Sequence, residues 1–135
     1  MYQAHKLFLE RLISTQLMAS KLSELQTREL FALDILAESP WISMSELAEK
    51  LNAAPNTTTG IVDRMVRRQL VRRRQSEKDR RVVKIALTNK GEDIHRFYIK
   101  LHQDYTEGLL DVFTDREAQE YVTLIEKLVE KLEAE

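Results

Sequence analysis

The stretch NAAPNTTTGIVDRMVRRQLVRRRQSEKDRRVVKIALTNKG, residues 52–91, decides how the rest of the chain is read. From Ala53 to Gly91 it carries eleven Lys/Arg (Arg64, Arg67, Arg68, Arg72, Arg73, Arg74, Lys78, Arg80, Arg81, Lys84 and Lys90) against three acids (Asp63, Glu77 and Asp79), a net of +8. The remaining residues hold ten basic and nineteen acidic side chains, a net of −9, so the formal total of −1 conceals a basic block in an acidic frame. That asymmetry is the electrostatic footprint of a nucleic-acid-binding surface, although a solvated charged face has the same composition.

The order of elements around the charge narrows the choice. Pro55 suits the first turn of a helix, where its missing N–H costs nothing, and the helix is expected to run over 55–69. Thr58, Ile61, Val62 and Met65 recur at helical spacing and should pack inward, leaving Asn56, Thr57, Gly60, Asp63, Arg64 and Arg67 on the other side. Gly60 costs about 1 kcal/mol relative to Ala in a helix interior; close approach of another backbone and simple tolerance both account for it. Residues 70–75 and 82–87 then form two strand candidates. In the second, Val83, Ile85 and Leu87 alternate with Val82, Lys84 and Ala86, and the segment between the strands, 76–81, is wholly polar.

Upstream, Ser43-Met44-Ser45-Glu46 has the form of a capping box and opens a short helix to Leu51. A tight turn separates it from the helix at Pro55, which makes a helix-turn-helix. A preceding helix is expected over 27–38, ended by Pro40, and an amphipathic one over 2–22 with Leu7, Phe8, Leu12, Ile13, Leu17 and Met18. Downstream, Thr88 is a candidate N-cap for a long helix over 89–113. Thr114-Asp115-Arg116-Glu117 is a second capping box, followed by a stripe of Ala118, Tyr121, Val122, Ile125, Leu128, Val129 and Leu132. A basic hairpin directly after a helix-turn-helix is a winged helix. The expected fold class is therefore mainly α with a small β-hairpin wing, flanked by N- and C-terminal dimerisation helices.

At 135 residues with 43% apolar content, the chain has enough material for one real core. We expect a single domain over 1–135, with 27–88 as the winged module and 1–24 and 89–135 as dimerisation helices. The absence of cysteine removes disulfides, thiolate metal ligands and thiol redox sensing. No apolar run is long enough to cross a bilayer and no signal-peptide core follows the first charges, so a cytoplasmic location without membrane contact is expected. His5, His95 and His102 lack the spacing of a metal cluster and are read as solvated; neither a metal nor a cofactor is expected. There is no phosphate loop and no Ser/His/Asp grouping, and the carboxylates alternate along helices as solvated charge does, so an enzyme is not expected.

The segments SELAEKL (45–51), TTTGIVDRMVRRQLVRR (57–73) and DRRVVKIALTNKG (79–91) together resemble the MarR family of bacterial transcription regulators. The last segment is similar to the family's wing signature: an Asp, an Arg two positions later, a strand, Leu-Thr, and a Gly three positions after the Thr. The resemblance implies an obligate homodimer built from the terminal helices and two winged modules reading a palindromic operator; a repressor is expected, with activation as the alternative. It also implies that Asp79 holds Arg81 for the minor groove. Two departures stand out. Ala54 precedes Pro55 where the family often has a capping Ser, and Gly60 stands where some relatives carry a base-reading side chain.

The physical chemistry of the same residues points to double-stranded DNA. A helix fits the major groove, so Asn56, Thr57 and Thr59 in its first turns, with Ser45 from the preceding helix, are candidate contacts, and Arg64 and Arg67 follow one and two turns on. Arg81 is the candidate for the narrow minor groove, where negative potential is enhanced. Asp79, two residues earlier on an extended segment, faces the same side. Lys78 and Arg80 are expected on phosphates, whereas Arg72, Arg73 and Arg74 are equally well read as solvated surface. Leu7, Tyr121, Ile125, Leu128 and Leu132 are expected in the dimer interface, against the alternative that those helices fold back on their own module. A small aromatic or anionic effector would be lined by Phe8, Leu12, Trp41 and Tyr98, although such residues at helical spacing are more often core. The alternative function is a winged-helix protein–protein interaction module whose basic wing docks on an acidic surface.

Overall fold

Apolar residues at three- and four-residue spacing build the first helix of the winged module, α1 (Thr27–Glu38), which buries Ala32, Leu33 and Leu36. The structure is a computed structural model in which residues 3, 4, 6, 7 and 25–134 are described. Gln3, Ala4, Lys6 and Leu7 are helical; the expectations placed on Phe8, Leu12 and the rest of 8–24 lie outside the described residues. After α1 come β1 (Ile42–Ser43), α2 (Met44–Lys50), α3 (Pro55–Arg67), β2 (Val71–Gln75), β3 (Val83–Leu87), α4 (Asn89–Leu110) and α5 (Asp115–Glu133). The fold is mainly helical with a small antiparallel sheet.

Both ends of α2 are fixed by local chemistry. Ser43 Oγ accepts the Glu46 N–H at 3.1 Å while Glu46 Oε2 accepts the Ser43 N–H at 3.3 Å, so two orphan N–H groups are satisfied reciprocally. At the other end Asn52 turns into the left-handed region (φ 49°), and Asn52 and Ala53 donate to the carbonyls of Glu49 and Ala48. This is the Schellman arrangement, and it makes the turn between the two helices. The same device ends α3. Gln69 has φ 61°, and Gln69 and Leu70 donate to Val66 and Met65. The helix therefore stops at Arg67, before the expected Gln69, because the chain must reverse to enter the sheet.

In the sheet β3 lies between β1 and β2. Val71 pairs with Leu87, Arg73 with Ile85 and Gln75 with Val83, while Ile42 pairs with Ile85 across the other edge. The third strand was not expected, since two residues are too few to carry a period. One face of this sheet joins Leu33, Leu47, Ile61, Val62, Met65 and Leu70 in the core, all of them 3% exposed or less. Thr58 is also fully buried, its hydroxyl donating to the Ala54 carbonyl.

Where β3 leaves the sheet, backbone and side chains crowd together. Thr88 N–H donates to the Leu70 carbonyl at 3.0 Å, the Thr88 hydroxyl donates to the Gln69 carbonyl, and the Gly91 N–H donates to Thr88 Oγ1 at 3.1 Å. Gly91 is obligatory here, because a Cβ would sit 2.1 Å from the Leu70 carbonyl oxygen. Gly60 meets no such obstacle: a Cβ there would find only Arg64 Nη1, at 3.9 Å. Close backbone approach does not explain it; open space does.

Cα packing divides the chain into two compact units, 1–99 and 100–135. In the second, Thr114 Oγ1 accepts the Glu117 N–H and Glu117 Oε2 accepts the Thr114 N–H at 2.9 Å, closing the expected capping box of α5. The Thr114 N–H, and then the Thr114 hydroxyl donating to the same oxygen at 3.0 Å, hold the Glu117 carboxyl below its ordinary value. The Phe113 and Tyr121 rings stack with centroids 5.9 Å apart. Beyond them Leu124, Ile125, Leu128, Val129 and Leu132 are exposed along one helix.

The two glycines make opposite predictions. Gly91→Ala should destabilise the fold by about 1–3 kcal/mol, since the obstructing atom is backbone and cannot rotate away. Gly60→Ala should raise stability by up to about 1 kcal/mol through helix propensity. Urea denaturation of both variants, with the midpoint shifting at unchanged slope, measures each effect; a neutral Gly91→Ala would contradict the close approach.

Candidate nucleic-acid interface

Within unit 1–99, three elements present the basic block. The N-terminal turns of α3 expose Asn56, Thr57 and Thr59, and α2 exposes Ser45. Ser45 and Thr59 share the rim of a groove of about 250 Å³ between the two helices, together with Ala53 and Pro55. Ala54 offers no side-chain cap to α3, so no side chain at that position satisfies the first N–H groups of the helix. The Thr59 hydroxyl donates to the Pro55 carbonyl at 3.0 Å.

Further along α3 the basic residues part ways. Arg67 is exposed. Arg64, expected to reach base edges or phosphate, is turned back on its own module. Its Nε donates to Glu29 Oε1 at 3.1 Å and its Nη2 to Gln26 Oε1 at 2.9 Å. Arg68 Nη1 donates to Glu29 Oε2 at 3.1 Å, and that oxygen also accepts the Gln26 N–H at 3.0 Å. Glu29 is completely buried. Its sequence signal is an acid at 29 on the same stripe as Leu25, Ala32, Leu33 and Leu36, where an apolar residue would be expected; the reading of residues 27–38 passed over it.

The wing tip is a tight polar turn between β2 and β3. Ser76 N–H donates to the Val82 carbonyl at 2.8 Å, Val82 N–H to the Asp79 carbonyl at 3.0 Å, and Lys78 N–H to Ser76 Oγ at 3.3 Å. Asp79 Oδ1 accepts the Arg81 N–H at 3.0 Å, while the Arg81 Nε stands 3.9 Å away, at the outer limit of an ion pair. Asp79 thus closes the turn first and touches the guanidinium second. The Arg81 side chain is 95% exposed, and Lys78 and Arg80 are exposed beside it. The tip is a small rigid loop bearing three solvated cations.

The arginines of β2 are exposed, as the solvated reading has them, yet each makes a contact within the chain. Arg73 Nη1 bonds Asp63 Oδ1 at 2.8 Å, tying β2 to α3. Arg72 and Arg74 lie on the other face of the sheet, their guanidiniums 4.9 and 3.8 Å from the centroid of the Trp41 ring. Trp41 itself has φ 60°, an uncommon backbone for a bulky side chain, and the two cation–π contacts brace it there. Trp41, Arg72, Ala86, His95 and Arg96 line a cavity of about 430 Å³ with the end of α1. His95, expected to be solvated, is largely buried and its Nε2 lies 2.8 Å from Asp34 Oδ1. Tyr98 is not among the described residues lining this cavity. Burial, and then the Asp34 carboxylate, raise its hydroxyl above the ordinary value. No group of three or more His/Cys/Asp/Glu is arranged to hold a metal among the described residues.

The role of Asp79 in the turn is testable without a ligand. Asp79→Ala should remove the acceptor of the Arg81 N–H and speed its hydrogen exchange several-fold, whereas Asp79→Asn, which keeps a carbonyl oxygen, should restore most of the protection. Equal protection in all three proteins would show that the turn closes without this side chain.

Relatives share both the sequence and the fold of this module. The regulator YsmB of Bacillus subtilis, named an uncharacterised HTH-type transcriptional regulator, is 37% identical over 94 residues, which cover 70% of this chain and 62% of YsmB. YpoP of the same organism, named likewise, is 29% identical over 108 residues, or 80% of this chain and 77% of YpoP. The crystal structure of Streptococcus pneumoniae FabT in complex with DNA superposes with a TM-score of 0.81 over 99% of each chain, at 24% identity. A model of the MarR family matches residues 25–83, from the start of the first winged-module helix into β3. That match takes in the cap at Ser43, the turn at Asn52 and the basic wing, so over residues 25–83 the chain is similar to the MarR family.

Proposed function

We propose that the chain is a homodimeric transcriptional regulator that binds a palindromic DNA operator and acts as a repressor. The observation that carries this reading is the division of labour among its cations. Arg64, Arg72, Arg73 and Arg74 are spent on contacts within the chain, while Lys78, Arg80 and Arg81 are left exposed on a loop closed by Asp79. Counterions around such a loop are released when phosphates replace them, which makes DNA the natural partner. The names of YsmB and YpoP, and the DNA in the FabT complex, support the same reading.

In this reading α3 enters the major groove with Asn56, Thr57 and Thr59 foremost, Ser45 flanks it from α2, and Arg67 meets phosphate. Lys78 and Arg80 neutralise phosphates beside the wing, and Arg81 enters the minor groove, its backbone fixed by Asp79. Pairing with a second copy covers the exposed Ile125, Leu128 and Leu132 and the half-buried Tyr121, with Leu7 joining from the first helix. Residues 1–24 and 89–135 then serve dimerisation and 27–88 DNA. An apolar stripe on the partner's matching helix suits this face.

Release by a small anionic or aromatic ligand is the finer part of the proposal. The cavity beside Trp41 supports it, with Arg72 and Arg96 as cations and an indole for stacking. Phe8 and Leu12 lie outside the described residues, so their part in the lining stays an expectation from sequence.

Two measurements test these parts separately. Arg81→Ala should weaken binding to a duplex selected from genomic DNA by about ten-fold or more, on the scale of a lost groove contact of about 1–3 kcal/mol, with the sedimentation coefficient unchanged. Unaltered affinity would take the wing out of the mechanism. Trp41 is the only tryptophan, so titration with benzoate should change its emission saturably and lower DNA affinity in parallel. A flat titration to millimolar benzoate would remove aromatic carboxylates as effectors.

A further inference from the structure

A buried carboxylate between two arginines of a reading helix invites a question that stability alone does not answer. Glu29 lies in the first turn of α1, with no solvent exposure, and both of its oxygens are taken. Oε1 accepts from Arg64, while Oε2 accepts from Arg68 and from the Gln26 backbone. Gln26 Oε1 takes a further Arg64 N–H. Arg64 lies in the last turn of α3 and Arg68 is its C-cap four residues on, so a single side chain on α1 grips the end of the helix. Beside the Arg64 guanidinium stands Gly60, whose missing side chain leaves room over that part of the helix.

We infer that Glu29 is a specificity-determining positioning residue: it withholds Arg64 from DNA, so that α3 reads with its short polar side chains rather than with a long cation. The inference rests on the DNA-binding reading above and deepens it. A guanidinium is a strong but indiscriminate ligand for phosphate, and one set free from a reading helix would reward every sequence alike. Arg64 remains about one-third exposed, near enough to the surface to swing outward once its anchor is gone. Charge balance makes the same point. The carboxylate neutralises one of the two guanidiniums it holds, and its removal adds a full positive charge to the module at the groove-facing helix.

The inference predicts a gain rather than a loss, which separates it from a purely structural role. Glu29→Gln keeps the volume and one acceptor but discards the charge. Its affinity for a scrambled duplex should rise several-fold, with the log–log salt slope steeper by about one unit per phosphate newly neutralised. The ratio of affinities for the genomically selected and scrambled duplexes should fall about ten-fold. Arg64→Gln alone should leave the salt slope as it was, and Arg64→Gln added to Glu29→Gln should return the slope to the original value. Glu29→Asp, which restores the charge, should recover part of the discrimination. Parallel loss of affinity for both duplexes in Glu29→Gln at constant slope would overturn the inference, as would a slope reduced by about one in Arg64→Gln. The grip itself is read without DNA, from hydrogen exchange of the Arg64 Nε–H, which should be slow in the parent protein and fast in Glu29→Gln. Fast exchange in the parent would overturn the grip, whereas slow exchange in a protein that shows no salt-dependent duplex binding would overturn the DNA reading and the specificity role with it.

Discussion

Everything the winged module presents outward depends on how α3 is held, and a carboxylate without water holds it. Burying Glu29 would be costly if it were unpaired, and removing one member of such a buried pair typically costs about 3–5 kcal/mol, an upper figure here because both arginines are about one-third exposed. The ion cluster ties α1 to the second half of α3, while Thr58, Ile61, Val62 and Met65 pack the length of the helix into the core. Lys90 adds a third tie, its ammonium donating to the Arg68 carbonyl at 3.0 Å, at the negative end of the helix dipole. A helix fixed in roll and tilt can present short side chains with accuracy, which long flexible cations do not require.

The same economy explains the charge pattern. A block of +8 in an acidic chain looks uniform along the sequence, yet in space it separates into two populations. One is internal: Arg64 and Arg68 on Glu29, Arg73 on Asp63, Arg72 and Arg74 on Trp41. The other is exposed, with Lys78, Arg80 and Arg81 at the wing tip and Arg67 on α3; Lys84 in β3 and Lys90, on the Arg68 carbonyl, stand apart from both. The pairs on the buried Glu29 are screened little by salt, whereas the solvated set supplies salt-sensitive attraction. The wing can carry its cations in water because its shape comes from backbone bonds among Ser76, Asp79 and Val82 and from the Asp79 carboxylate.

What the sequence made legible follows from the range of the interactions involved. Both capping boxes, the Pro55 helix start, the inward set on α3 and the two long strands are local patterns, and each stands as read. The Schellman turns at Asn52 and Gln69 were less visible, because a left-handed residue that is not glycine leaves no clear mark. Contacts across the chain were hidden altogether: Glu29 lies 35 positions from Arg64, His95 lies 61 from Asp34, and β1 is a two-residue strand defined only by its pairing with β3. Gly91 is instructive, since sequence resemblance marked the position and the Leu70 carbonyl supplies the reason for it. Arg64 shows the converse, where helical periodicity gave the correct side of the helix but could not reveal that the side chain bends back.

The central claim is that a braced basic wing and a polar helix, twice over, recognise one DNA sequence. Its most direct measurement is equilibrium binding of a genomically selected duplex and its scrambled counterpart across a range of salt concentrations, read by anisotropy with the stoichiometry determined. The account predicts two chains per duplex, a linear fall of log affinity with log salt for both duplexes, and a large preference for the selected duplex at every salt. Binding of one chain per duplex, or equal affinity for the two sequences, would contradict it.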